Sequence, residues 1–146
     1  MRAALTDPRP YLDWVGRAYD DFFNRGAPAR LQSALQSLRC GSLNGASSNT
    51  ATAMFEQLER LRLSLCGRAV RLDRILFEFE TPVGPETFAN IASVWWIVPA
   101  VASSASAAVG GTIHGASKIT FTDDHEIVDL RELWAVDPFA SHREGH

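Results

Sequence analysis

The side chains best suited to chemistry lie in the closing apolar run Ile127–Val136, which alternates with the period of two expected of a strand. One face then carries Val128, Leu130, Glu132, Trp134 and Val136, and the other Ile127, Asp129, Arg131, Leu133 and Ala135. Glu132 is the single charge on its otherwise apolar face. Apolar surroundings disfavour the ionised carboxylate, raise its pKa toward neutrality and suit it to general acid–base catalysis. Two other readings stay open: a buried partner such as Arg74 pairs with Glu132, or a bulge turns it outward.

The preceding runs offer groups for the same cavity. On Thr87–Val98 one face holds Phe88, Asn90, Ala92, Val94, Trp96 and Val98, so Asn90 is its lone hydrogen-bonding group, able to orient a carbonyl or a water. On Gly111–Phe121 the apolar face is Ile113, Gly115, Ser117, Ile119 and Phe121. Strict alternation sends His114 to the opposite side with Lys118, whereas a bulge at Gly110, Gly111 or Gly115 would bring it inward as a complementary acid. Tyr11, Asp13, Trp14 and Tyr19 near the start could reach the mouth of such a cavity, a phenol as donor and an indole as a stacking wall. The expected contacts to substrate are Tyr11, Trp14, Tyr19, Trp96, Ser117, Phe121 and Trp134. Trp95 and Trp96, being adjacent on a strand, must face opposite sides.

Other chemistries lack their signatures. There is no Walker loop, no GxGxxG and no GxSxG, and the histidines are scattered: His142 and His146 in the tail, His125 in a turn, His114 in a strand. No metal or organic cofactor is expected. Cys40 and Cys66 have no metal-ligand or CxxC spacing, and the start reaches Asp7 and Pro8 before any apolar core, so free thiols and a cytoplasmic location are expected. Net charge is -3, with +4 on residues 1–74 and -7 on residues 75–146, which draws the molecule neither to nucleic acid nor to anionic membranes. Arg60, Arg62, Arg68, Arg71 and Arg74 are interleaved with Glu56, Glu59 and Asp73, the pattern of a solvated surface. The stretch Thr87–Ser117 has no charged residue, yet Asn90, Pro99, serines and glycines break it as a membrane span.

The 146 residues are one domain's worth of chain, with 46% hydrophobic residues. Thr6-Asp7-Pro8 has helix-start chemistry, and Leu12, Val15, Ala18, Tyr19, Phe22 and Phe23 form one stripe of a helix ending near Gly26. A second, shorter helix follows Pro28 with Leu31, Ala34, Leu35 and Leu38 inward, and a third carries Phe55, Leu58, Leu61 and Leu65 up to Gly67. Between them Cys40–Thr52 is loop-like with room for a short irregular hairpin. The period then changes to two: Arg68–Thr81, a turn at Pro82–Pro85, Thr87–Val98, a small-residue connection at Ser103–Ala108, Gly111–Phe121, a turn at Thr122–His125, and Glu126–Val136. Helices first and antiparallel strands after is an α+β order.

This order, with the closing cadence Lys118-Ile119, Phe121, Arg131-Glu132-Leu133-Trp134 and Asp137, resembles the nuclear transport factor 2-like superfamily, in particular its SnoaL-like polyketide cyclase and limonene epoxide hydrolase-like branches. The resemblance covers residues 9–139 by element order and 115–138 by motif. It implies an N-terminal tail over 1–8, a SnoaL-like α+β barrel domain over 9–139 and a C-terminal tail over 140–146. The implied fold is a cone: a curved antiparallel sheet with three N-terminal helices packed over its concave face, and a convex face that makes a homodimer. The implied activity is cofactor-independent isomerisation, cyclisation, dehydration or epoxide opening of a hydrophobic polyketide- or terpenoid-like substrate in a deep pocket. By similarity Glu132 takes the place of the aspartate in the epoxide hydrolases' R-D-Y-F run, whereas Asp137 matches the one ending the cyclases' W-x-x-D run. The chain departs from the pattern in having no Gly at Asp124-His125-Glu126 and no Arg-x-Asp pair on Thr87–Val98. A non-catalytic module of the same fold, binding a ligand or a second copy, is the alternative.

Overall fold

A computed structural model describes residues 7–101 and 111–136. Helix α1 (Arg9–Arg25) begins where the Asp7 carboxylate accepts the Arg9 amide at 3.0 Å, and stops at Gly26, whose φ of 65° is the left-handed conformation that closes a helix. Its inward stripe is Val15, Ala18, Tyr19, Phe22 and Phe23; Leu12, expected on it, is 38% exposed. Helix α2 (Ala29–Ala34) runs on into a 3₁₀ turn at Leu35–Ser37. Strands β1 (Cys40–Leu43) and β2 (Ala46–Ser48) then form a short hairpin before α3 (Ala51–Ser64), which Thr50 caps by accepting the Ala53 amide at 3.1 Å. The four long strands follow: β3 (Arg71–Gly84), β4 (Thr87–Val98), β5 (Ile113–Phe121) and β6 (Ile127–Val136).

These six strands form one curved, unclosed sheet in the order β2-β1-β6-β5-β4-β3. It is mixed rather than wholly antiparallel, because β1 lies parallel to β6. The curvature has local causes. Register shifts interrupt β3–β4 between Leu72 and Arg74, Glu78 and Thr81, and Pro82 and Gly84, and another falls in β5–β6 after Thr120. Each such irregularity bends its strand and increases the local twist.

Both ends of β3 and the facing at the start of β6 differ from the sequence reading, each for a physical reason. Strand β3 runs through Pro82 to Gly84, since an edge strand tolerates a residue that cannot donate to the ladder; the turn is confined to Pro85 and Glu86. Arg68, expected to open that strand, instead donates to the carbonyls of Pro99 at 2.8 Å and Gly111 at 2.6 Å, tying together the ends of the chain that leaves β4 and enters β5. The irregularity opposite Phe121 turns Ile127 inward to 2% exposure while Val128 is half-buried, so alternation on β6 holds only from Asp129 onward. The Ser103–Ala108 connection, the 140–146 tail and Asp137 lie outside the described residues.

Candidate active site

Glu132 is 1% exposed on the concave face of the sheet. Its register partner across β5 is Ser117, which in turn faces Val94 of β4, so the carboxyl stands near the middle of the long strands. The Tyr19 hydroxyl donates to Oε2 at 2.6 Å, the Trp134 indole donates to Oε1 at 2.7 Å, and Ser117 bonds the same carboxyl. Ser117 Oγ itself accepts the Trp96 indole N–H at 2.9 Å, and the Tyr19 ring stacks on Trp96 with centroids 4.7 Å apart. No bulge turns Glu132 outward, and the buried partners it does have are these neutral donors rather than Arg74, which lies over the Trp95 ring at 4.4 Å, on the other face.

Local sequence explains how this set converges. Alternation puts Glu132 and Trp134 side by side, and Gly115 opposite Trp134 lets the indole lie flat on β5: a Cβ there would stand 2.5 Å from a ring carbon. From above, the apolar stripe of α1 brings Tyr19 down onto Trp96. Burial pushes the Glu132 carboxyl up to about 7, against the pull of the donors Ser117, Tyr19 and Trp134, which favour its charged form. The Tyr19 hydroxyl is driven well above its ordinary range by burial first and then by the neighbouring carboxylate.

A cavity of about 400 Å³ adjoins this cluster, walled by Gly16, Tyr19, Ala69, Val70, Leu72 and Trp96, with Asp20, Asn24 and Arg71 also on its boundary. Tyr19 belongs both to this wall and to the carboxyl's hydrogen bonds; Glu132 itself is not part of the wall. The Asn24 amide fixes one side by pairing with both backbone groups of Val70, each at 2.8 Å.

Of the described residues expected at the site, Tyr19, Trp96, Ser117 and Trp134 gather around Glu132, and Asn90, His114, Tyr11, Trp14 and Phe121 do not. Asn90 is buried, but it lies four residues along β4 from Val94, roughly 13 Å at a strand's rise. Its Nδ2 donates to Asp123 at 2.9 Å and its Oδ1 accepts the Glu80 amide at 3.2 Å, satisfying the β3 irregularity rather than facing the carboxyl. Tyr11, Trp14 and Phe121 cluster at that same far end: Tyr11 reaches Asp123 at 3.3 Å and packs on Phe121, and Trp14 stacks on His125 with centroids 4.7 Å apart. His125 takes the φ of 62° that a glycine would ordinarily supply in this turn. His114 is exposed on the outer face opposite Ile97 and Ala135, because β5 is regular through Gly115 and no bulge reverses it. Asn44, missed from sequence, bonds the backbone of β6 on both sides of Leu133. Asn44-Gly45 is a strong turn signal, but a turn signal does not say what its tip will touch. Among the described residues no group of three or more His, Cys, Asp or Glu could hold a metal ion, and no helix is long and apolar enough to cross a membrane.

Known structures share this architecture along nearly the whole chain. A nuclear transport factor 2-like protein of unknown function from Shewanella oneidensis MR-1 matches at 13% identity, covering 87% of this chain and 99% of its own, with a TM-score of 0.53. The chain has the nuclear transport factor 2-like fold. A protein from Xanthomonas campestris pv. campestris described as a "putative polyketide cyclase" matches at 18% identity over 93% of this chain and 98% of that one, TM-score 0.55. A de novo designed protein with a curved β-sheet matches at 11% identity over 91% and 93%, TM-score 0.57. No protein-family profile and no curated protein matches the sequence. The fold alone therefore does not carry an activity; that argument falls to the side chains.

Proposed function

We propose that this chain is a cofactor-independent enzyme of the isomerase or cyclase type, acting on a hydrophobic polyketide- or terpenoid-like molecule by proton transfer through Glu132 and Tyr19. One observation carries the reading: a carboxyl brought to a pKa of about 7 is joined by a 2.6 Å hydrogen bond to a phenol on the wall of a 400 Å³ cavity. Ionised, Glu132 accepts from three donors and leaves none idle. Protonated, it must donate in turn, and a proton passed to the Tyr19 oxygen frees the phenol's own hydrogen for an acceptor in the cavity. Such a relay moves a proton to or from substrate while the carboxyl stays dry. The Ala69, Val70 and Leu72 walls and the Trp96 ring favour an apolar, flat ligand. The likeness to the Xanthomonas protein supports the polyketide class.

A specific observation favours the second reading, a non-catalytic binding or dimerising module: Glu132 is fully engaged by its neighbours and stands behind the cavity wall. A panel of aromatic polyketides, enones and terpenoid epoxides, followed by mass spectrometry, separates the two. Wild-type protein is expected to convert at least one compound, Glu132→Gln to lose that turnover by about 10²-fold or more with affinity unchanged, and Tyr19→Phe to lose most of it. Compounds that bind wild type and both variants alike, with no conversion by any, would establish the binding module instead. We also propose that the outer sheet face pairs with a second copy of the chain.

A further inference from the structure

We infer that Asn44, at the tip of the β1–β2 hairpin, is a positioning residue for the Glu132 carboxyl. It acts through the Trp134 indole. Asn44 and Gly45 both have positive φ, 51° and 86°, the backbone of a tight two-residue hairpin turn. The parallel pairing of β1 with β6 ends at Leu43 opposite Glu132, one residue before that turn. The Asn44 side chain carries the pairing further. Its backbone N–H donates to the Glu132 carbonyl at 2.8 Å, its Oδ1 accepts the Trp134 amide at 2.8 Å, and its Nδ2 donates to the Trp134 carbonyl at 3.1 Å. The amide thus supplies the donor and acceptor of a missing strand residue.

These bonds hold β6 on both sides of Leu133, the residue that spaces the carboxyl from the indole donating to it at 2.7 Å. Gly115 gives the indole a floor, while Asn44 fixes the backbone it hangs from. Asn44 is exposed, so beyond suiting the turn its side chain acts through these two bonds to β6 and not through apolar burial. Loosening it should weaken the Trp134 bond, one of the three that favour the charged carboxyl, and so raise the proton affinity of Glu132.

The groups around Glu132 leave few rival causes. Tyr19 is the titratable side chain that bonds it. On α1, Asp13, Asp20 and Asp21 are paired with Arg17, Arg25 and Arg30. On β5 and β6, His114, Lys118, Asp129 and Arg131 belong to the outer face.

The inference rests on Glu132 as the working carboxyl, but its test reads a proton rather than a product. Carbon-13 NMR of labelled Glu side chains follows the Glu132 titration in wild type, Asn44→Gly, Trp134→Phe, the double variant and Gln57→Ala. Glycine keeps the left-handed turn while removing both bonds to Trp134. Gln57, bonded to Ala46 and Ser48, braces the same hairpin from α3 without reaching Trp134. The expected result is an upward midpoint shift of roughly half a pH unit in Asn44→Gly, in the direction of Trp134→Phe, with little further shift in the double variant. Gln57→Ala should lower the melting temperature and leave the midpoint in place. An unmoved midpoint in Asn44→Gly, or an equal shift in Gln57→Ala, overturns the inference, even if Glu132→Gln abolishes turnover. If the glycine variant does not fold, Asn44→Asp in about 1 M salt, which screens the new charge, should give a smaller upward shift; none overturns it equally.

Discussion

A buried carboxyl with a raised pKa leaves a signature in stability as well as in chemistry. Folding lifts Glu132 from its ordinary 4.5 to about 7, so the native state binds its proton more tightly than the unfolded chain does. Its contribution is therefore fully present below pH 4.5 and is lost as pH rises to about 7, after which the penalty is constant. The size of that loss is on the order of 3 kcal/mol. Urea unfolding at a series of pH values should show wild type losing stability over this window relative to Glu132→Gln, whose side chain does not titrate. A stability difference that stays flat from pH 4 to 8 would refute the buried, protonatable carboxyl. Alternation on β6 made Glu132 readable as the one acid of an apolar face. Its three hydrogen-bond partners were not readable as a set, because they come from α1, β5 and β6.

At the scale of elements, the site depends on how α1 is seated on the sheet. Tyr19 reaches Glu132 only because the helix stripe from Val15 to Phe23 packs inward, and Asn24, near its end, locks that seat to Val70, the residue just before β3. Asn24→Ala leaves the N–H and C=O of buried Val70 without these partners, and equilibrium unfolding should record a loss of about 1–3 kcal/mol. A loss below about 0.5 kcal/mol would mean that the bonds exchange freely with water. Helices were legible from their three- and four-residue spacing, whereas strand ends were less so. Pro82 read as a turn because its sequence context does not reveal that β3 is an edge; Arg68 read as strand because alternation does not reveal a guanidinium spent on two distant carbonyls.

For the whole molecule, the two faces of the sheet divide the work. The inner face holds the carboxyl cluster; the outer face carries a cross-strand row of Arg74, Trp95, Ala116 and Leu133, with Leu133 62% exposed and Leu76 56% exposed nearby. If a second copy covers that row, wild type should sediment as a dimer at micromolar concentration and Leu133→Asp as a monomer with an unchanged far-ultraviolet spectrum. A monomeric wild type would remove the proposed pairing and leave the inner face untouched. Trp95 and Trp96 show the division in two adjacent residues: one lies under Arg74 outside, the other stacks on Tyr19 within.

By itself the sequence determined the α+β order, the helix faces, the strand periodicity and the lone acid on β6, because these follow from chain-local spacing and from the energy of burying apolar side chains. Tertiary structure alone decided that Asn90 and Tyr11 belong to one end of the sheet and Tyr19 and Trp96 to the Glu132 cluster, and that an exposed hairpin asparagine braces β6. Those choices turn on strand register, on irregularities one residue long and on contacts across more than 80 positions of chain, such as Asn44 with Trp134 at a separation of 90. No local pattern encodes a distance of that kind; it exists only once the sheet has curved and the helices have closed over it.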